Sequence, residues 1–340
     1  MIRPFHLRDV ALVHRLGERG VVLHTRAGLT SSVQPLRRAL KHRIVGGRSA
    51  TFVWKSDERE SAGFAQLLWQ ADEPNARIAC LAIASNVNGD GPAGEDAWLA
   101  LLDELVVVAG RRGVHNLIAE ADEAGPQLPL LRRSGFVVYT RQDVWMSVQP
   151  PAGAADSSLR PRQPMDDWDI HVLYANNVPQ MIQVIEPAPP LELTQSWVLY
   201  EGDELAASVH VLAGPMAGWM RLLIHPNAQT PADDIVRAAV VLAEPSAEHP
   251  LYCCVGRHQS WLQAPLERTG FRYASSQAVM VKHIARRVSQ PAPLPKLVLE
   301  GRPVPGAAPM VQRFRPAGYR GPQAQHALIS LYDRSPTPRN

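Results

Sequence analysis

Along the first 148 residues, short apolar runs broken by charged or glycine-bearing turns alternate with stretches of helical period. An apolar start at 2–4 leads into a helical pattern at 9–16, with Arg8-Asp9 as its start signal. Two β-patterned runs, 50–55 and 61–69, flank the charged turn Ser56-Asp57-Glu58-Arg59-Glu60, which predicts a hairpin. A further strand is predicted at 77–85. Beyond it Trp98, Leu101, Leu102, Leu105 and Val108 recur at helical spacing, so 97–109 reads as an amphipathic helix, ended by Gly113. A strand at 114–120, a short helix at 129–134 and a strand at 136–148 complete the order β-α-β-β-β-α-β-α-β.

The same order returns in the second half, with strands at 196–200, 205–212, 219–225, 251–255 and 271–283 and helices at 231–243 and 261–268. Residue matches support the duplication. Ile2-Arg3-Pro4 reappears as Leu159-Arg160-Pro161, and at the same offset of 157 Asp9 falls on Asp166, Val13-His14 on Ile170-His171 and Leu16 on Leu173. Phe52-Val53 matches Trp197-Val198 at an offset of 145, and Leu131-Arg132-Arg133-Ser134-Gly135-Phe136 matches Leu266-Glu267-Arg268-Thr269-Gly270-Phe271 at 135. The offset only shrinks, as it should for a duplicated domain with successive deletions in its second copy. The repeated His14 and His171 read as helix-packing residues.

Composition locates the unfolded parts more than the chemistry. The chain has 340 residues, long enough for two cores, with ordinary hydrophobic and charged fractions of 46% and 20%. It carries 30 Pro, where about 17 would be usual at roughly 5%. Ten of them fall in the last 52 residues, so 289–340 reads as a mostly disordered tail, with one run at 296–300 that could form a short strand. The expected division is therefore 1–148 and 159–288 as two domains, 149–158 as a Pro/Ala/Ser-rich linker, and the tail.

A formal charge of +3 excludes a strongly basic surface, and the run Arg37, Arg38, Lys41, His42, Arg43 has no interleaved aromatic, so no nucleic-acid partner is expected. Cys80, Cys253 and Cys254 cannot make a disulfide framework, and no Cys/His cluster has metal-ligand spacing. With no apolar leader and no run of about 18 apolar residues, the reading is cytoplasmic, without membrane or metal.

The duplicated order, each copy with a Gly-Phe step opening its last strand, resembles a tandem protein of the GNAT superfamily of acetyl-CoA-dependent N-acyltransferases. Arg111-Arg112-Gly113-Val114 after the central helix adds to the likeness, which spans roughly 1–285. It implies an α/β (α+β) fold: two consecutive GNAT-like domains, each a mixed, mainly antiparallel sheet flanked by helices, followed by the tail. It also implies transfer of an acyl group, acetyl first among them, from acetyl-CoA or another acyl-CoA to a small-molecule or peptide amine. In such a site a splayed strand pair offers backbone groups to the pantetheine arm. The turn into the central helix then points N–H groups at the diphosphate.

The superfamily string at that turn, Arg/Gln-x-x-Gly-x-Gly/Ala, is met by Asn88-Gly89-Asp90-Gly91-Pro92-Ala93 except at its first residue, and Gly94 follows. Ile83, Ser85, Asn88, Gly89, Gly91, Ala93 and Gly94 are thus the cofactor-binding candidates. Counting back from Gly113 by the usual helix length puts the turn near 93–98 instead. Either the helix is about a turn longer than usual or the glycines form only a loop ahead of it. Asp90, Glu95 and Asp96 add negative charge there. The equivalent turn of the second copy, 225–234, has no glycine and two prolines, which implies a degenerate, structural or substrate-shaping half.

The general-acid Tyr and the Asn that many members carry fall on Leu131 and Ala124 in one copy and on Leu266 and Gln259 in the other. Tyr139 is the remaining acid candidate, against the reading of a strand Tyr packed in the core. Glu120 and Asp122 read as a solvated strand end or as groove residues. The alternative to an enzyme is a catalytically inactive GNAT-fold binding or scaffold protein.

Overall fold

Both halves open on the same clamp. In the computed structural model the Arg3 guanidinium grips the Asp9 carboxylate with two bonds of 2.6 Å, and Asp9 also accepts the His6 N–H at 2.9 Å. Arg160 and Asp166 repeat this at 2.9 and 2.7 Å, with the Gln163 N–H at 2.7 Å. The bidentate pair ties each first strand to the start of each first helix. The Arg160 guanidinium holds the Asp166 carboxyl down at about 2, against the opposing effect of burial.

The structure describes residues 2–31, 35–37, 39–40, 49–55, 61–69, 74–85, 92–150, 159–191 and 194–284. The chain divides into two units, Met1–Val288 and Ser289–Asn340, and all described residues lie in the first. The run at 296–300, the turn at 56–60 and most of the stretch 149–158 lie outside them.

The strands are β1 (Ile2–Pro4), β2 (Val21–Val22), β3 (Ser49–Lys55), β4 (Ser61–Trp69), β5 (Asn75–Ser85), β6 (Asn116–Asp122) and β7 (Val137–Ser147) in the first half. The second has β8 (Arg160–Pro161), β9 (Gln195–Glu201), β10 (Glu204–Ala213), β11 (Gly218–Ile224), β12 (Leu251–Gly256) and β13 (Arg272–His283). The helices are α1 (Val10–Gly17), α2 (Thr25–Thr30), α3 (Pro92–Arg111), α4 (Gln127–Arg133), α5 (Asp167–Asn177), α6 (Gln180–Gln183), α7 (Ala232–Ala243) and α8 (Gln263–Arg268).

All strands join one sheet, in the order β1-β3-β4-β5-β6-β13-β7-β12-β11-β10-β9-β8, with β2 against β5. The last strand of each half is exchanged: β13 pairs with β6 and β7, and β7 pairs with β12. Met280 of β13 therefore packs in the core under α3, with Leu101, Leu105 and Phe136. Trp145 of β7 packs in the core under α7, with Val236, Val240 and Phe271. Each buried large apolar side chain contributes about 1.5–3 kcal/mol, so the exchange couples the two cores.

The repeated Leu-x-Arg-Ser/Thr-Gly-Phe string proves to be a helix stop. Gly135 (φ +84°) and Gly270 (φ +95°) take the left-handed conformation after α4 and α8, and the Phe136 and Phe271 N–H groups return to the Leu131 and Leu266 carbonyls at 3.0 Å. The central helix α3 starts at Pro92, earlier than its apolar spacing shows, because its first turn carries no core stripe and Pro is tolerated where no N–H bond is needed. His14 and His171 are exposed rather than packed. Among the described residues, no helix is long and apolar enough to cross a membrane.

Candidate functional site

The parallel pair β5/β6 holds for only three positions, Asn75 with Asn116, Ala76 with Leu117 and Arg77 with Ile118, and then splays. The pair β11/β12 does the same after Gly218 with Leu251, Trp219 with Tyr252 and Met220 with Cys253. Two equivalent gaps follow, and they are filled differently.

In the first gap the chain lays its own backbone. Val21 and Val22 pair with Leu81 and Cys80, Leu23 donates its N–H to the Ala79 carbonyl at 3.1 Å, and the Glu120 N–H reaches the Leu23 carbonyl at 2.8 Å. Residues 21–23 thus bridge β5 and β6. Gly20 makes the entry feasible, since a Cβ there would lie 2.6 Å from Cys80 Sγ.

No strand fills the second gap among the described residues. Along β11 the His225 N–H bonds to the Ala206 carbonyl on one side and the Gly218 N–H to the Pro250 carbonyl on the other. Odd-numbered residues therefore face β10 and even-numbered ones face β12. Past Met220, where β12 has turned away, the backbone groups of Leu222 face a cavity of about 110 Å³. Residues 178–190 cover it. Arg221 donates to the Pro187 carbonyl at 2.8 Å and lies 3.4 Å from the Glu186 carboxylate, and Asn177 Nδ2 caps the Ile224 carbonyl at 3.1 Å.

Charged side chains from both halves converge on this chamber. Glu120, 8% exposed, accepts from Arg77 at 2.8 Å and from the Thr25 N–H at 2.8 Å, and His24 Nδ1 lies 3.4 Å away. Burial would raise this carboxyl, but His24, Arg77 and the Thr25 N–H outweigh it and hold it well below the usual carboxylate range. Burial pushes His258 downward, so its imidazole is neutral near pH 7, and it pushes His24 downward too, against the opposing pull of Glu120. Burial, together with Glu186 and Glu120, lifts the Cys254 thiol well above its ordinary value, so it is no thiolate nucleophile. His24 Nδ1, His258 Nδ1 and Gln259 Nε2 are buried without hydrogen-bond partners, and all three residues line the chamber.

The sequence-derived cofactor-binding and acid candidates that the structure describes do not line this chamber. Ile83 and Ser85 pair with Gly63 and Ser61 at the end of β5. Asn88, Gly89 and Gly91 lie outside the described residues, while Ala93 and Gly94 sit in the first turn of α3. Tyr139 does not line the chamber. Its hydroxyl meets His283 Nε2 at 3.1 Å, and the bonds continue through Asn116 and Asn75 to the Val184 carbonyl. Glu120 is a buried ion-pair partner instead of a solvated strand end. His24, Arg26, Arg221 and His258 escaped sequence reading because they come from separate helical, strand and turn segments of both halves. The signals present were the apolar run Val21-Val22-Leu23 after Gly20 and the prolines at 179, 187, 189 and 190.

An acyl-CoA needs a free strand edge for its arm and free N–H groups for its diphosphate. In the first half the edge at Ala79 and Leu81 is taken by residues 21–23, so the arm does not fit between β5 and β6. In the second half the Leu222 edge is open and suits the arm. The turn before α7, however, already gives its Gln229 and Thr230 N–H groups to the Glu201 carboxylate, at 2.8 and 2.7 Å. The diphosphate does not fit there while Glu201 stays in place.

No protein-family model and no curated protein matches the chain. Among solved structures, a GCN5-related N-acetyltransferase from Sphaerobacter thermophilus is similar at 12% identity, TM-score 0.52, over 85% of this chain and 96% of that one. A GCN5-related glucosamine N-acetyltransferase region of a fungal multi-domain GH3 beta-N-acetylglucosaminidase is similar at 11% identity, TM-score 0.50, over 83% and 38%. A tandem GNAT protein from the clavulanic acid biosynthesis pathway aligns at 13% identity, TM-score 0.49, over 84% and 99%. The likeness establishes the GNAT fold, and the repeated element order establishes that it occurs twice.

Proposed function

From a GNAT fold in two consecutive copies, we propose that the chain transfers an acyl group to an amine in the chamber beside β11. The observation that carries this reading is the unpaired Leu222 edge beside His258, a neutral imidazole whose Nδ1 has no partner. A neutral base within a chamber is what an amine needs to lose its proton on acylation. The donor when bound would supply a thioester-activated acyl group. As the N–C bond forms and the thioester C–S bond breaks, His258 would take the amine proton at Nδ1 and return it to the departing thiolate, Glu186 would hold the amine before it loses that proton, and residues 185–190 would keep bulk water from the Leu222 edge. The acceptor is a small-molecule or peptide amine.

Calorimetry with acetyl-CoA tests this. Wild type should bind weakly, Glu201→Gln more tightly because two N–H groups are released, and Cys254→Phe not at all because the ring fills the chamber. Gly91→Trp should bind like wild type; loss of binding in that variant would move the donor to the glycine-bearing turn of the first half.

A second reading, a GNAT-fold binding or scaffold protein that uses no acyl-CoA, is favoured by the bridging of the first gap by Leu23 and by the Glu201 contacts in the second half. It predicts no heat with acetyl-CoA for wild type or Glu201→Gln and no acylation of an amine panel.

A further inference from the structure

Three guanidinium groups, Arg26, Arg77 and Arg221, line the chamber against two carboxylates, Glu120 and Glu186. Arg77 is bonded to Glu120 and to the Ile185 carbonyl, and Arg221 to the Pro187 carbonyl with Glu186 beside it. Arg26, part-buried in α2, has no ion-pair or hydrogen-bond partner for its guanidinium among the described residues, and it lines the chamber. Of the charged side chains lining the chamber, three guanidinium groups stand against two carboxylates, one excess positive charge before any histidine is counted. An unpaired cation in such a place is costly and persists where a ligand supplies the counter-charge.

We propose that the chamber binds a small carboxylate through Arg26, so that the acceptor is a compact amine bearing a carboxylate, as in a short amino acid. A carboxylate matches the planar guanidinium fork, and a chamber of about 110 Å³ has room for a compact one. The amine half of this inference rests on the acyl-transfer reading above; the carboxylate half stands on Arg26 and the charge of the chamber.

Calorimetry and thermal melting with propionate, alanine and ethylamine separate the two halves. Propionate and alanine should bind and raise Tm, whereas ethylamine should not. Arg26→Met should lose at least about tenfold in affinity for both carboxylates. Without ligand, Arg26→Met should melt above wild type, because an uncompensated charge is gone, and this also shows that the variant folds. Arg26→Lys should restore only part of the affinity, since it keeps the charge and loses the fork.

Equal binding of ethylamine and propionate, or wild-type affinity in Arg26→Met, overturns the proposal. Carboxylate binding without acetylation of alanine leaves the carboxylate site standing and removes the acyl-transfer reading. Acetylation of ethylamine as efficiently as alanine, unchanged in Arg26→Met, does the reverse.

Discussion

The two gaps in the sheet have one topology and opposite fillings. After α1 the link through Gly20 delivers the extended run Val21-Val22-Leu23, whose N–H and carbonyl groups bridge β5 and β6. After α5 the corresponding stretch holds Pro179, Pro187, Pro189 and Pro190, which have no N–H to give to a strand edge, so it covers β11 with side chains and carbonyls instead. Duplication supplied the same scaffold twice. The local backbone chemistry of the segment after the first helix decided which copy closed and which kept a chamber.

The largest expected effect contrasts the carboxylates of the two gaps. Glu120→Ala would strand Arg77 beside His24 in a buried setting and should cost about 3–5 kcal/mol in denaturant unfolding. Glu186→Ala, at a half-exposed pair, should cost less than about 1 kcal/mol. Equal losses would mean that both gaps are structural and neither is a chamber.

Acid sharpens the contrast next. His210, bonded to Ser196 and Ser208, is driven down to about 3 by burial and by Arg221 and Arg162, and His24 is also lowered. A histidine depressed in the folded state binds its proton first in the unfolded chain, so stability falls as pH drops below the unfolded value near 6.5 and goes on falling toward the folded one. His210 alone should remove roughly 2 kcal/mol between pH 6.5 and 5, at about 1.36 kcal/mol per unit. Thermal melts at these two pH values should show a shallower loss in His210→Gln.

The smallest effect is on dynamics and needs no substitution. In amide hydrogen exchange, the Leu23 and Glu120 N–H groups should be protected to near the global limit, and Leu222 should exchange faster than its neighbours Arg221 and Leu223, which are bonded to β10. A Leu222 amide as slow as those neighbours would close the second gap and remove the proposed donor edge.

Much of the fold was legible because its determinants are local or repeated. The offset of 157 that links Arg3 and Asp9 to Arg160 and Asp166 marked two copies of one clamp, and the Gly-Phe steps marked two helix stops that require positive φ. The site was less legible. Tyr139 and Glu120 both lie on strands, and nothing in the alternation says that one is bonded to His283 outside the chamber while the other is locked to Arg77 inside it. The first turn of α3 carries no core stripe, so Pro92 as its start could not be read from spacing.

By itself the sequence determined the element order, the duplication, the clamps and the helix stops, because periodicity, caps and turn glycines act over a few residues. Tertiary structure alone decided the exchange of β7 and β13, the bridging of one gap by Leu23, and the convergence of Arg26, Arg77, Glu120, Arg221 and His258. Those outcomes depend on which strand edges lie unpaired once the whole sheet is assembled and on charges far apart in the chain that meet only there.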